Sequence, residues 1–168
     1  MTIYHHSFDS ALGRIYCAAT DRGVCRIDLP HVDSEDFISS LKRAYPGAEL
    51  RSGGTHNMRL HEEIGEYLDG NRREFTVPLD LKATDFATAV LHEVASIPYG
   101  ATRTYGDIAQ ALNKPGGARA VGGANAHNPL PLVIPCHRVV ASNGLGGYGG
   151  GLDLKRRLLA IEGAADYQ

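Results

Sequence analysis

The feature that most restricts this chain is a change of texture around Lys82-Ala83. Before it, short alternating apolar runs mix with amphipathic segments; beyond it, apolar residues recur mainly at helical spacing. A chain that changes character in this way builds two units, each with its own core. Its 168 residues, 43% of them hydrophobic, supply enough material for both. The expectation is an α+β protein with one domain over 1–83 and a mainly helical one over 84–168.

In the first half, Thr2–Phe8, Arg14–Ala19 and Gly23–Leu29 read as an antiparallel meander. Asp33–Tyr45 places Phe37, Ile38, Leu41 and Tyr45 at helical spacing and stops at Pro46-Gly47. Asn57–Asp69 does the same with Leu60, Ile64, Tyr67 and Leu68, and Gly70 ends it. Phe75–Leu81 alternates like a strand, and Pro78 marks it as an edge.

In the second half, Thr84 or Asp85 caps a helix carrying Phe86, Val90 and Val94. Thr104-Tyr105-Gly106-Asp107 has the form of a capping box, and a turn at Asn113–Gly116 leads into a second short helix, about Gly117–Ala126. Two short helices across such a turn are the helix-turn-helix pattern. The second would bury Ala118, Val121 and Ala124 and present Arg119, Gly122, Gly123 and Ala126 on its other face. A mid-helix glycine costs about 1 kcal/mol against alanine, so two of them imply close approach of another backbone, from a neighbouring helix or from nucleic acid. In the latter case Arg119 is the side chain long enough to enter the base stack.

A net charge of −2 excludes a strongly basic nucleic-acid coat. The charge divides as −3 over 1–83 and +1 over 84–168, so any polyanion contact belongs to the second half. No apolar run is long enough for a bilayer, and Met1–Ser10, with two histidines and an aspartate, does not read as a leader. Three cysteines without a framework spacing point to a reducing, cytoplasmic setting. Cys17 and Cys25 with His5, His6 or His31 would make four zinc ligands, but no metal-binding spacing supports this, and the two cysteines read as apolar strand residues.

The chemistry concentrates in Asn128–Val140, an apolar segment stiffened by Pro129, Pro131 and Pro135. A cysteine there is either an inert core residue or a nucleophile; the adjacent His137 and Arg138 favour thiolate at Cys136. In an extended segment neighbouring side chains point apart, so a water bridge is the natural proton path from Cys136 to His137. Near the C-terminus Asp153 would cap a helix with Leu154, Leu158 and Ile161 as its stripe. Glu162 borders that stripe, either solvated or paired with an imidazole such as His137. Asn143–Gly151 holds six glycines in nine residues and formally matches G-x-G-x-x-G, but it opens no βαβ unit and lacks a P-loop Lys-Ser/Thr. Bare backbone beside Tyr148 suits a flat ligand better.

Ile134-Pro135-Cys136-His137-Arg138-Val139 resembles the active-site signature of the O6-alkylguanine-DNA alkyltransferases, or methylated-DNA–protein-cysteine methyltransferases. Ile97-Pro98-Tyr99-Gly100, Thr104-Tyr105-Gly106, Arg119-Ala120-Val121-Gly122, Asn128-Pro129, Gly147-Tyr148-Gly149-Gly150 and Leu158–Glu162 extend the resemblance in family order across 84–168. It implies a ribonuclease-H-like α/β domain followed by a winged-helix-type domain. Duplex DNA would be the partner of a monomeric protein, bound through the minor groove with the damaged guanine flipped out. Cys136 would accept the alkyl group, His137 act as base through water, Glu162 orient it, and Asn128 brace the segment. Tyr105 would donate to the leaving guanine. Arg119 would fill the gap in the stack, with Ala118, Gly122, Gly123 and Thr104 at the DNA. Tyr148, Gly147, Gly149 and Val139 would line the lesion pocket and Lys155 would support it. No metal or organic cofactor is required, and the thioether product implies one reaction per molecule. O4-alkylthymine is a second candidate lesion. The chain departs from the family in having no Trp in the helix before Ile97, with Leu91 near that place. A non-catalytic lesion binder and a cysteine hydrolase are the rival readings.

Overall fold

The computed structural model describes residues 1–30 and 33–164, and the chain divides into two compact units between Leu81 and Lys82. His31, a candidate zinc ligand, lies outside the described residues.

The first unit is a four-stranded sheet with two helices. Strands β1 (Thr2–Ser10), β2 (Gly13–Ala19) and β3 (Val24–Asp28) form the meander, while β4 (Glu49–Ser52) adds to the free edge of β1 in parallel, giving the order β3-β2-β1-β4. Helix α1 (Ser34–Ala44) starts at Asp33, whose carboxylate accepts from the Asp36 amide at 2.8 Å. Acidic residues in its first turn and Lys42 and Arg43 in its last match the helix dipole. Phe37 and Leu41 of α1 bury Ile3, Ala18 and Cys25 of the sheet. Helix α2 (Thr55–Leu68) packs along β1 to β3 through a face that includes buried Leu60, Ile64 and Tyr67, and His61 stacks on Phe8 at 4.1 Å between centroids.

The expected strand over Phe75–Leu81 does not form; its one ladder contact is an isolated bridge between Leu79 and Val24. Pro78 lacks an amide donor, and the buried Glu63 carboxylate takes the Thr76 and Val77 amides at 2.7 and 3.2 Å, removing them from any ladder. Burial opposes ionisation of Glu63, but these bonds, the Thr76 hydroxyl and Arg59 outweigh it and hold its pKa low. Cys17 and Cys25 are buried and free, and among the described residues no group of three or more metal-binding side chains comes together.

The second unit is mainly helical: α3 (Asp85–Ala95), α4 (Tyr105–Ala111), α5 (Ala118–Ala126) and α6 (Leu152–Ile161). Thr84 caps α3, and Thr104 with Asp107 closes a reciprocal capping box at α4. Helix α5 packs against α3 and α4, completing the helix-turn-helix, and Leu91 lies buried in α3. Two short strands, β5 (Arg103–Thr104) and β6 (Val139–Val140), pair in parallel. This pairing ties the start of α4 to the cysteine segment, because β5 runs straight into Tyr105 and β6 comes directly after Cys136-His137-Arg138. Among the described residues no helix is long and apolar enough to cross a membrane.

Candidate active site

Residues Cys136–Arg138 form a single 3-10 turn rather than an extended segment. Two carbonyls outside regular elements organise it: Cys136 N donates to Ile134 O at 2.8 Å, and Arg138 N to Pro135 O at 2.9 Å. The turn buries all three side chains, His137 completely.

His137 Nε2 donates to Glu162 Oε2 at 2.8 Å. A carboxylate accepts only, so this bond places the ring proton on Nε2 and leaves Nδ1 with its lone pair. Nδ1 is buried and has no hydrogen-bond partner among the described residues. Burial keeps the imidazole pKa below its ordinary value although Glu162 acts to raise it, so the ring is neutral and basic at Nδ1. Glu162 reaches this position as the C-cap of α6, where Gly163 turns the chain at φ 77° and the Tyr99 hydroxyl donates to Ile161 O at 3.1 Å.

Arg138 serves the carboxylate, not the thiol. Its Nε and Nη2 donate to Glu162 Oε1 and Oε2 at 2.8 and 2.9 Å, Nη1 donates to Ile97 O at 2.6 Å, and the guanidinium lies over the Tyr99 ring. The expectation that flanking cations would favour thiolate is therefore corrected. Burial pushes the Cys136 thiol up, and hydrogen bonding from Asn128 and Tyr148 and the charge of Lys155 offset this only in part. At rest the sulfur is a neutral thiol beside a neutral base.

Asn128 holds the approach to the turn, donating from Nδ2 to Ile134 O at 2.8 Å and accepting from Leu130 N at 2.9 Å. Lys155 is fully buried under the site and donates to Val139 O, Leu145 O and Gly147 O at 2.7, 2.6 and 3.0 Å, tying β6 to the glycine-rich loop. Loss of hydration lowers its pKa to about 8. Tyr105 is half-buried with its hydroxyl 3.5 Å from Gly147 O, and burial raises its pKa, so it stays a protonated donor. Gly146 makes room for it: at φ 72°, a Cβ there would lie 2.7 Å from the Tyr105 oxygen. Gly147 and Gly149 are exposed beside half-buried Tyr148, whereas the Val139 side chain is buried entirely and its carbonyl serves Lys155.

Helix α5 keeps most of its expected faces, with Arg119, Gly123 and Ala126 exposed, and departs from them in burying Asn125 and half-burying Gly122. Val121 and Asn125 are its buried residues; Ala118, Gly122 and Ala124 are half-buried, and Arg119 and Gly123 are exposed. A methyl at Gly122 would make ordinary contact with the Tyr105 ring at 3.7 Å, and one at Gly123 would meet nothing within 4 Å. The protein's own packing thus requires neither glycine. Among the described residues no hydrogen bond or ion pair holds Arg119. The Thr104 hydroxyl is engaged by the Asp107 amide at 3.0 Å as a cap. Asp153 does not cap α6; Gly151 does, at φ 96°, and exposed Asp153 pairs with Arg156 in the first turn. Sequence reasoning missed the bond from Asn125 to the Cys136 carbonyl and the pairing of Arg138 with Glu162. Arg138 was the more accessible of the two, since a cation beside a buried histidine needs an anion.

Two family models match the chain: "6-O-methylguanine DNA methyltransferase, ribonuclease-like domain" over residues 3–81, and "6-O-methylguanine DNA methyltransferase, DNA binding domain" over 85–164. A methylated-DNA–protein-cysteine methyltransferase of Mycolicibacterium paratuberculosis is 50% identical over 95% of this chain and 92% of its own length. The inducible one of Bacillus subtilis is 38% identical over 88% and 83%. Among solved structures, Mycobacterium tuberculosis OGT in complex with DNA superposes with a TM-score of 0.82 at 35% identity, covering 96% of this chain and 93% of that one.

Proposed function

Because this chain belongs to the 6-O-methylguanine DNA methyltransferase family, whose members move a methyl group from DNA to a protein cysteine, we propose that Cys136 is the acceptor and His137 its base. The protein is a transferase that binds duplex DNA and repairs it by direct alkyl transfer. The observation that carries the residue assignment is the buried series of thiol, imidazole and Arg138-bound carboxylate.

In this reading the thiol proton passes through a bridging water to Nδ1 of His137, giving an imidazolium stabilised by Glu162. The thiolate attacks the O6-alkyl carbon. An S–C bond forms, the C–O6 bond breaks, and the electron pair leaves on the purine, to which the Tyr105 phenol donates a hydrogen bond or its proton. The thioether has no leaving route, so the molecule acts once. Asn128, Tyr148 and Lys155 hold the sulfur, the loop and β6 in register, with Gly147 and Gly149 beside the extruded base. The three free cysteines support a cytoplasmic setting. Titrating an O6-methylguanine duplex against protein tests this reading: repaired lesions should plateau at one per protein. Continued turnover would favour a cysteine hydrolase, and binding without repair a passive lesion binder.

Helix α5 supplies the DNA contact, with Arg119 entering the stack and the bare backbone of Gly122 and Gly123 closing on the minor groove beside Ala118. Arg119→Ala should slow duplex repair by about 10- to 100-fold, roughly 1.4 to 2.7 kcal/mol, and leave reaction with free O6-benzylguanine within about twofold. Single-turnover rates on the two substrates check this; equal losses on both would remove Arg119 from the stack.

A further inference from the structure

Asn125 is out of keeping with its surroundings. It sits in the last turn of α5, 5% exposed, on the buried face it shares with Val121. Its Nδ2 donates to the carbonyl of Cys136 at 3.2 Å, while its Oδ1, also buried, has no hydrogen-bond partner among the described residues. A buried amide with one end unmet costs about 1–3 kcal/mol, and asparagine is a poorer helix former than leucine or methionine. An apolar residue would serve packing better, so the amide has another use.

That use is visible in what the amide holds. The turn bearing the sulfur has two carbonyls at its borders. Ile134 O receives Asn128 Nδ2 and the Cys136 amide; Cys136 O receives Asn125 Nδ2 and the Val139 amide. Asn125 and Asn128 are joined in turn, because Asn128 N donates to Asn125 O at 3.3 Å. The acceptor turn is gripped before and after the sulfur by two asparagines three residues apart. One of these belongs to the helix whose opposite face carries Arg119.

We infer that Asn125 is a second positioning residue for the transfer, coupling the DNA-contacting helix to the main chain of the acceptor cysteine so that seating of the helix on a duplex orients the sulfur. The coupling part rests on the DNA-contact reading of α5; the positioning part does not. Reacting atoms held slightly out of line lose rate steeply, about 100-fold for an error near 1 Å.

The test uses Asn125→Leu, which keeps the branched heavy-atom shape of the side chain and removes the donor. With saturating duplex, the single-turnover rate constant should fall by about 10- to 100-fold while duplex Kd and Tm stay at or above native values, and free O6-benzylguanine should show the same fall in maximal rate without a change in half-saturation. A folded variant reacting within twofold of native on both substrates overturns positioning. Parallel loss of affinity and rate would make Asn125 an interface residue instead. A second measurement needs no variant: in native protein labelled with carbonyl-13C cysteine, undamaged duplex should shift the Cys136 carbonyl resonance. An unmoved resonance overturns the coupling. If Arg119→Ala repairs duplex normally while Asn125→Leu still slows the free base, the DNA reading of α5 fails and positioning stands.

Discussion

Cys136→Ser should bind duplex DNA as the native protein does and transfer no methyl, with a rate reduced by about 10^4-fold or more, the scale seen when a nucleophile is removed from a preassembled site. Serine is close to cysteine in size, so the 3-10 turn, the Asn125 and Asn128 clasps and the packing around them survive, because all of these hold main-chain atoms. What is lost is an accessible anion. The buried thiol is already pushed above its ordinary range, and in the proposed mechanism the neutral His137 takes its proton through water. An alcohol is far more basic as its anion, and oxygen is a harder nucleophile toward an alkyl carbon. A fluorescence Kd within about twofold of native, together with absent repair, is the expected pair of results. Measurable repair by the serine variant would contradict the assignment of the acceptor.

Glu162→Gln should damage stability and rate together. The native carboxylate accepts three charge-assisted or imidazole bonds, two from Arg138 and one from His137, in a site closed to solvent. Whichever way it turns, the amide sets its NH2 against at least one donor, and it leaves Arg138, 6% exposed, without its counter-ion. Breaking a buried pair in this way costs about 3–5 kcal/mol, which lowers Tm measurably. Well below that Tm, the rate with free O6-benzylguanine should fall by about 10^2- to 10^4-fold, since His137 loses both its fixed tautomer and the anion that stabilises the imidazolium. The pH profile adds a check on the native protein. Because the imidazole pKa is held below 6.5, the base stays neutral as pH falls through that value, and the rate should decline only at lower pH. A Glu162→Gln variant with native Tm and native rate would remove the carboxylate from the mechanism.

Much of the site was legible because its motifs are local. Thr104 and Asp107 cap α4 from three residues apart, and Cys136 and His137 are neighbours in the chain, whereas the partner of Glu162, 25 residues beyond His137, was settled only by the family resemblance. What the sequence hid depends on long-range partners. Glu63 diverts two amides from what patterning read as a strand, and the polar β4 forms only because β1 has a free edge. Alternation could not foresee the 3-10 turn after Pro135, where main-chain bonds to Ile134 and Pro135 set the direction of three side chains. Asn125 was invisible for a similar reason. Small residues on nearly every side of α5 give too weak an apolar stripe to fix its rotation, and packing against α3 and α4 decides it.

In the proposed mechanism one sulfur takes the carbon from the lesion and keeps it. Peptide mass mapping after reaction with an excess of O6-methylguanine duplex tests this most directly. The expected result is one methyl per molecule, confined to the peptide containing Cys136, with Cys17 and Cys25 unmodified. A methyl on another residue, or full repair with an unmodified Cys136 peptide, would contradict it.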